Sequence, residues 1–329
     1  MPLPPPPPRT RTPLSSATPP PQQPYAEEDL PRVAYLYASP LTHRQNGRLS
    51  EVDQLDVTEE LRMIRGTLRE TRRALAFRVE VATSRNLRTV CSLGCRLLHY
   101  AGHGAAQNLC FENGRGEVKA LGVDSLTKLF AAGGVQTQVV FVSACHSESA
   151  GRAFAAAGVP HVVAVRTAAR LSDSAARAFA QAFYLPLLRG STVRAAFEVG
   201  VGAVAAELTA SAGAKFLLLP AEAPGAPPLH DRAPFSDAVP GGYVDETPPP
   251  PRNTCDAPPP HFLGRHALLQ EVFEHLARGH RCVTIKGPPG IGKTALALRA
   301  AEYMAERRLF GRGTWHAPLG GGGGGGGGR

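Results

Sequence analysis

Residues 139–149 read VVFVSACHSES. The run from Val139 to Val142 is β-branched or aromatic throughout, the composition of a strand covered on both faces. It ends in the small residues Ser143 and Ala144, then Cys145, and a helical pattern over 149–157 closes at Gly158. Strand, tight turn, helix is the repeating unit of a parallel sheet. The same unit recurs outward in both directions. Residues 32–39 (RVAYLYAS), 77–82, 95–100 (CRLLHY) and 161–165 (HVVAV) read as further strands. Between and after them lie helical segments at 56–75, 86–95, 124–132, 172–189 and 192–207. The first repeats Val57, Leu61, Ile64, Leu68 and Leu75 on one face, with Asp56 or Thr58 as its cap. Residues 109–119 carry Asn113-Gly114 between two short apolar runs and predict a hairpin. The expected class is α/β, with a largely parallel sheet covered on both sides.

Composition sets the limits of that domain. Hydrophobic residues make up 43% of the 329, enough for a core, but the 31 prolines and 35 glycines are clustered. Residues 1–30 form a Pro-rich arm expected to be disordered, 220–260 a Pro-rich linker, and 320–329 a glycine tail. Such stretches bury too little apolar surface to offset ordering entropy. The folded mass is therefore expected at 31–219 and 261–319. No apolar run reaches the ~18–20 residues of a membrane span, and prolines at the start oppose a secretory signal. The cysteines (91, 95, 110, 145, 255 and 282) form no CxxC pair, which points to free thiols and a cytoplasmic setting. The net charge is +9, but only five basic residues are Lys and no basic cluster interleaves with aromatics. The charge reads as a solvated surface, with no nucleic-acid or membrane partner expected.

Two stretches carry chemistry. His99-Tyr-Ala-Gly-His103-Gly104 and Ser143-Ala-Cys145-His146 each stand where an apolar strand runs into small residues. Carboxyl ends of parallel strands are where functional groups gather. A thiol at one end and an imidazole at another form a nucleophile and its base. Glycine beside the histidine leaves backbone N–H groups open to a developing oxyanion. Taken singly, a cysteine or histidine on an apolar strand is ordinarily a core residue, and it is the pair that points to catalysis. A zinc site is not indicated, because no Glu follows His99 to make HExxH and Cys91 and Cys95 lack a second pair.

Residues 32–205 resemble the CHAT domain family of caspase-like proteins. The resemblance rests on VAYLYASP, Leu55 with Glu59-Glu60, HYAGHG, LCFENGRGEV, VVFVSACHSES, GVPHVVAV, SDSAARAFAQAFYLPLLRG and TVRAAF, in that order. It implies a caspase-like three-layer sandwich and a Cys/His dyad. His103 would be the base, Cys145 the nucleophile, and the N–H groups of Gly104 and Cys145 the oxyanion donors. His99 would be structural. Arg166 and Asp173 are the candidates for reading the substrate side chain, although Ser172-Asp173 also reads as a helix cap. Proteolysis needs no cofactor, and the partner is a protein or peptide substrate.

The second stretch is Gly287-Pro-Pro-Gly290-Ile-Gly292-Lys293-Thr294, which fits GxxxxGK[ST] in full. Residues 281–286 (RCVTIK) read as the strand before it, 295–307 as the helix after it, and 313–319 as the start of a second strand. Backbone N–H groups would hold phosphates, Lys293 would reach the β/γ-phosphates, and Thr294 would ligate Mg²⁺. With Phe262-Leu-Gly-Arg265 and an amphipathic helix at 266–278, residues 261–319 resemble the opening of STAND/NB-ARC NTPases. That resemblance implies a partial P-loop NTPase α/β fragment, ATP or ADP with Mg as ligand, and assembly of copies through that module. No Walker B strand follows, so binding rather than hydrolysis is expected. The combined reading is a cysteine endopeptidase regulated by a nucleotide-binding module in a signalling or cell-death-like context. Its rivals are a catalytically silent CHAT scaffold and a nucleotide-dependent regulator without proteolysis.

Overall fold

A computed structural model describes residues 30–131, 136–222, 226–259, 262 and 264–317. Nearly all of the N-terminal arm and the glycine tail lie outside the described residues. In chain order the elements begin with β1 (Arg32–Tyr37), β2 (Thr42–Gln45), β3 (Arg48–Glu51), α1 (Val57–Thr71), β4 (Ala76–Val81) and α2 (Ser84–Ser92). Next come β5 (Leu97–Ala101), β6 (Gly104–Ala105), β7 (Asn108–Glu112), β8 (Val118–Gly122), α3 (Val123–Ala131), β9 (Val139–Ser143) and α4 (Glu148–Ala156). The chain continues with β10 (His161–Val165), α5 (Asp173–Leu188), α6 (Val193–Glu207), α7 (Ala210–Gly213), β11 (Phe216–Leu219), β12 (Val244–Asp245), α8 (His266–Ala277) and α9 (Lys293–Glu306).

The central sheet has the order β11-β10-β9-β5-β1-β4-β12 and is parallel except for β11. Its strands alternate cleanly between two cores, as period-2 geometry requires. Val33, Tyr35, Val139 and Phe141 face the side covered by α1, α5 and α6, where they meet Phe179 and Phe183. Ala34, Leu36, Val140 and Val142 face α2, α3 and α4, where they meet Val90, Phe130 and Phe154. Each large side chain withdrawn in this way contributes about 1.5–3 kcal/mol. This three-layer sandwich is the arrangement expected of residues 31–219. No helix among the described residues is long and apolar enough to cross a membrane.

Three features depart from expectation. Residues 42–51 form a β-hairpin that periodicity does not announce. Its turn, Asn46-Gly47, has φ of 50° and 77°, the paired positive values of a tight hairpin turn. The segment 226–259, read as a linker outside the folded mass, packs onto the domain instead. Phe235 is fully buried, β12 extends the sheet beside β4, and Arg32 pairs with Glu246 at 2.7 Å. Its few apolar residues suffice because they fill one sheet edge that the first domain leaves open.

The third concerns the C-terminal part. The expected strand at 281–286 is not formed, and of the one expected at 313–319 the described residues 313–317 hold a single bridge, between Asn253 and Thr314. A strand needs a neighbour for its N–H and C=O groups, and none of the described strands stands beside this one. What forms is a pair of helices, α8 and α9, rather than an α/β fragment. They dock on the first domain through Leu269, Phe273, Leu296 and Tyr303 around Leu41. Arg307, just after α9, reaches Glu112 of β7 at 2.8 Å, with side chains 7% and 0% exposed.

Candidate active site

β5 and β9 are neighbours in register, Ala101 opposite Ser143. Both chains leave the sheet at the same edge, so Gly102-His103 and Ala144-Cys145 emerge side by side. They line one cleft of about 130 Å³ with Leu55, Asp56, Glu60, Leu171, Asp173 and Arg177 among its walls. The close approach depends on glycine. A Cβ on Gly102 would lie 2.3 Å from the Tyr100 hydroxyl, and one on Gly104 would lie 2.3 Å from the Cys145 carbonyl oxygen.

His103 is oriented by the backbone. Its Nε2 stands 2.7 Å from the carbonyl oxygen of Asp53, in the strap between β3 and α1. A carbonyl only accepts, so Nε2 carries the proton and Nδ1 is the lone-pair nitrogen of the neutral ring. The Cys145 thiol accepts from the Leu171 N–H at 3.3 Å and donates to the Leu171 carbonyl at 3.7 Å, so the backbone of one residue fixes the position of the sulfur. The turn that presents it is strained at His146, whose φ is 55°. Ser147 pins that turn from beneath. Its hydroxyl donates to the Val142 carbonyl at 3.1 Å and accepts from the Val165 N–H at 2.9 Å, tying β9 to β10.

Two backbone N–H groups stand unpaired at these strand ends among the described residues. In the β6–β7 ladder the Cys110 N–H donates to the His103 carbonyl. Bonded and non-bonded pairs alternate along an antiparallel ladder, so Gly104, one residue on, turns its N–H away from β7. The Cys145 N–H has no acceptor among the described residues.

Behind the cleft lies a buried polar row. The Tyr184 hydroxyl meets Nδ1 of His99 at 2.6 Å, Nε2 of His99 stands 3.4 Å from Glu60, and the Tyr35 hydroxyl donates to Glu60 at 2.8 Å. Burial pushes His99 down to about 3 and keeps it neutral. Burial lifts the Glu60 carboxyl to about 7, against the Tyr35 hydrogen bond and the Arg177 charge that favour its ionised form. Three other thiols are held protonated. Burial raises Cys91 and Cys110 to about 12 and Cys95 to about 11.

Of the residues singled out from sequence, His103, Cys145 and Asp173 share this cleft, and Gly104 adjoins it beside the Cys145 carbonyl. Ser172 caps α5 by accepting from the Ala175 N–H, as its residue type suggested, while Asp173 lines the cleft from the first turn. Arg166 does not reach the cleft, and its guanidinium donates to the Ala214 carbonyl on the protein surface. Gly287 to Thr294 lie elsewhere, in a loop leading into α9. Gly290 and Gly292 have φ of 77° and 87°, and Lys293 Nζ folds back to the Gly287 and Pro288 carbonyls at 3.0 and 2.9 Å. Sequence reasoning missed the Asp53 carbonyl and the Leu171 N–H, because any residue supplies such groups. It also missed Arg177, which the four-residue spacing from Asp173 would place on the same helix face.

The family model of the CHAT domain matches residues 7–206, more than half of the chain. The chain belongs to the CHAT domain family. Among solved structures, this CHAT protein is similar to the Arg specific cysteine proteinase gingipain R, at 12% identity and a TM-score of 0.42. That match covers 71% of this chain and 52% of the other. It is also similar to the complex of Porphyromonas gingivalis RgpB pro- and mature domains, at 12% identity and a TM-score of 0.39, covering 71% and 53%. The chain thus spans about half the length of these structures. No curated protein matches it. The family match stops short of residues 261–319 and says nothing of a nucleotide-binding module.

Proposed function

We propose that this CHAT protein is a cysteine-type endopeptidase. The reading rests on one observation: His103 and Cys145, 42 residues apart in the chain, line one cleft at the ends of adjacent strands. In the proposed reaction Nδ1 of His103 takes the thiol proton and Cys145 Sγ attacks the peptide carbonyl carbon. The oxyanion is received by the N–H groups of Gly104 and Cys145. The imidazolium then protonates the leaving amine as the C–N bond breaks, and water hydrolyses the acyl-enzyme through the same base. Asp173, at the cleft wall, is the candidate for reading the substrate side chain. Arg166 is no longer one.

A nucleotide role for residues 287–294 is a second reading, favoured by the positive φ of Gly290 and Gly292 at the N-terminus of α9. The loop chemistry suits the phosphates of ATP or ADP, with Thr294 toward Mg²⁺. The strand that would align the loop is missing, so no catalytic step is derived through it.

The test is labelling with a library of electrophilic peptides. Wild type should label at Cys145 alone, and both Cys145→Ala and His103→Ala should abolish it. Equal labelling of all exposed thiols would sink the peptidase reading and favour a silent scaffold.

A further inference from the structure

The imidazole of His103 is held by the carbonyl of Asp53, and the strap that carries Asp53, residues 52–56, belongs to no sheet ladder. What holds the strap is Gln54. Its Oε1 accepts from the Ser39 hydroxyl at 2.7 Å, and its Nε2 donates to the carbonyls of Pro40 at 2.8 Å and Val52 at 3.2 Å. The Val52 N–H in turn donates to the Leu41 carbonyl at 3.0 Å. The strap is thereby fastened to residues 39–41, the turn that follows β1.

That turn is itself held from outside the first domain. Arg307 donates to the Ser39 carbonyl at 2.8 Å, and the Tyr303 hydroxyl donates to the same oxygen at 3.4 Å. The Ser39 N–H donates to Glu112, the carboxylate that Arg307 pairs with. Leu41, 1% exposed, is packed among Leu269, Phe273, Leu296 and Tyr303. At the near end of the strap the Ala267 N–H, in the first turn of α8, donates to Glu51 at 3.0 Å.

We propose that Gln54 is a positioning residue for His103, and that through Gln54, Ser39 and Glu51 the docked α8–α9 pair sets the orientation of the imidazole. The proposal rests on the peptidase reading, because an orienting carbonyl matters only to a working base. Its physical content is a connected path: hydrogen bonds join Arg307 to Ser39 and Ser39 to Gln54, the peptide bond joins Gln54 to Asp53, and the Asp53 carbonyl meets His103. Loosening one link frees the carbonyl that selects the tautomer. None of Ser39, Glu51 and Gln54 lines the cleft.

The experiment uses the full chain and follows alkylation of Cys145 by iodoacetamide against pH, read by peptide mass spectrometry. The exposed Cys282 serves as an internal reference. Gln54→Ala is expected to slow alkylation of Cys145 near neutral pH about tenfold and to move the midpoint of its profile up by about one unit. Ser39→Ala and Glu51→Ala should move it the same way by less, and Cys282 should not respond. Ser39→Ala removes one oxygen and keeps the test valid if Gln54→Ala fails to fold. An unchanged Cys145 profile in folded Gln54→Ala or, failing that, Ser39→Ala overturns the positioning role. A wild-type profile no different from that of Cys282 overturns the peptidase reading beneath it, a distinguishable result.

Discussion

Arg307 and Glu112, 195 residues apart in the chain, form a two-pronged pair in which Nε and Nη2 each stand 2.8 Å from a different carboxylate oxygen. The guanidinium carbon also lies 3.3 Å from the centre of the Tyr303 ring. Burial works against the Arg307 charge, and Glu112, Tyr303 and Glu306 together more than restore it. The pair is the polar centre of the contact between the C-terminal helices and the CHAT domain.

Removing one partner strands the other. Arg307→Met is expected to cost about 3–5 kcal/mol in urea unfolding, the usual consequence of a lone buried charge. Adding Glu112→Leu should recover only part of it, because the Ser39 N–H then loses its acceptor at about 1–3 kcal/mol. A loss under about 1 kcal/mol for Arg307→Met alone would mean that the helices do not dock as described.

Stability should rise between about pH 4.5 and 6.5. His99 and His161 are held down to about 3 and about 4 by burial, so over this range the unfolded chain binds protons that the folded one does not. Each adds up to about 1.4 kcal/mol per pH unit as pH rises. Glu60, lifted to about 7, acts oppositely, because its stabilisation is complete below the unfolded value and is lost as pH rises toward 7. Two rising contributions outweigh one falling. Glu60→Gln should therefore steepen the dependence measured by unfolding at a series of pH values, and a flatter one would refute the assignment.

Ser147→Ala tests the support of the nucleophile turn. The fully buried hydroxyl serves both Val142 and Val165, and its loss leaves the Val165 N–H without its acceptor, while the Val142 carbonyl keeps the Ala144 N–H. The expected cost is about 1–3 kcal/mol, accompanied by reduced peptide labelling of Cys145. Full labelling with full stability would show that the turn holds without this latch.

Two glycine substitutions should act in opposite directions. Gly104→Ala places a methyl 2.3 Å from a backbone oxygen that cannot move aside, so labelling should be lost. Gly202 lies within α6 with nothing within 4 Å of a new Cβ. Gly202→Ala should raise stability by up to about 1 kcal/mol, the helix preference of alanine over glycine, and leave labelling alone. Thermal unfolding and the labelling assay together check both.

The layered domain was legible in the sequence because burial on two faces is written in residue types. Leu97 to Ala101 and Val139 to Ser143 are apolar at nearly every position, so each had to be a covered strand, and the small residues beyond them marked where His103 and Cys145 emerge. The Ser172 cap was equally readable, since a hydroxyl before an apolar period meets the free N–H groups of a helix start. What only the tertiary structure decided are the relations between groups that carry no local signature. The carbonyl of Asp53 that orients His103 is a backbone atom which any residue would supply. The buried contact in which the Nδ1 atoms of His161 and His230 stand 3.0 Å apart joins positions 69 residues apart. The seat of α8 and α9 depends on Leu41, Ser39 and Glu112 arriving together from separate parts of the chain. Residues 281–286 make the same point in reverse, because strand-like composition gives a strand only where a neighbour supplies the other half of its hydrogen bonds.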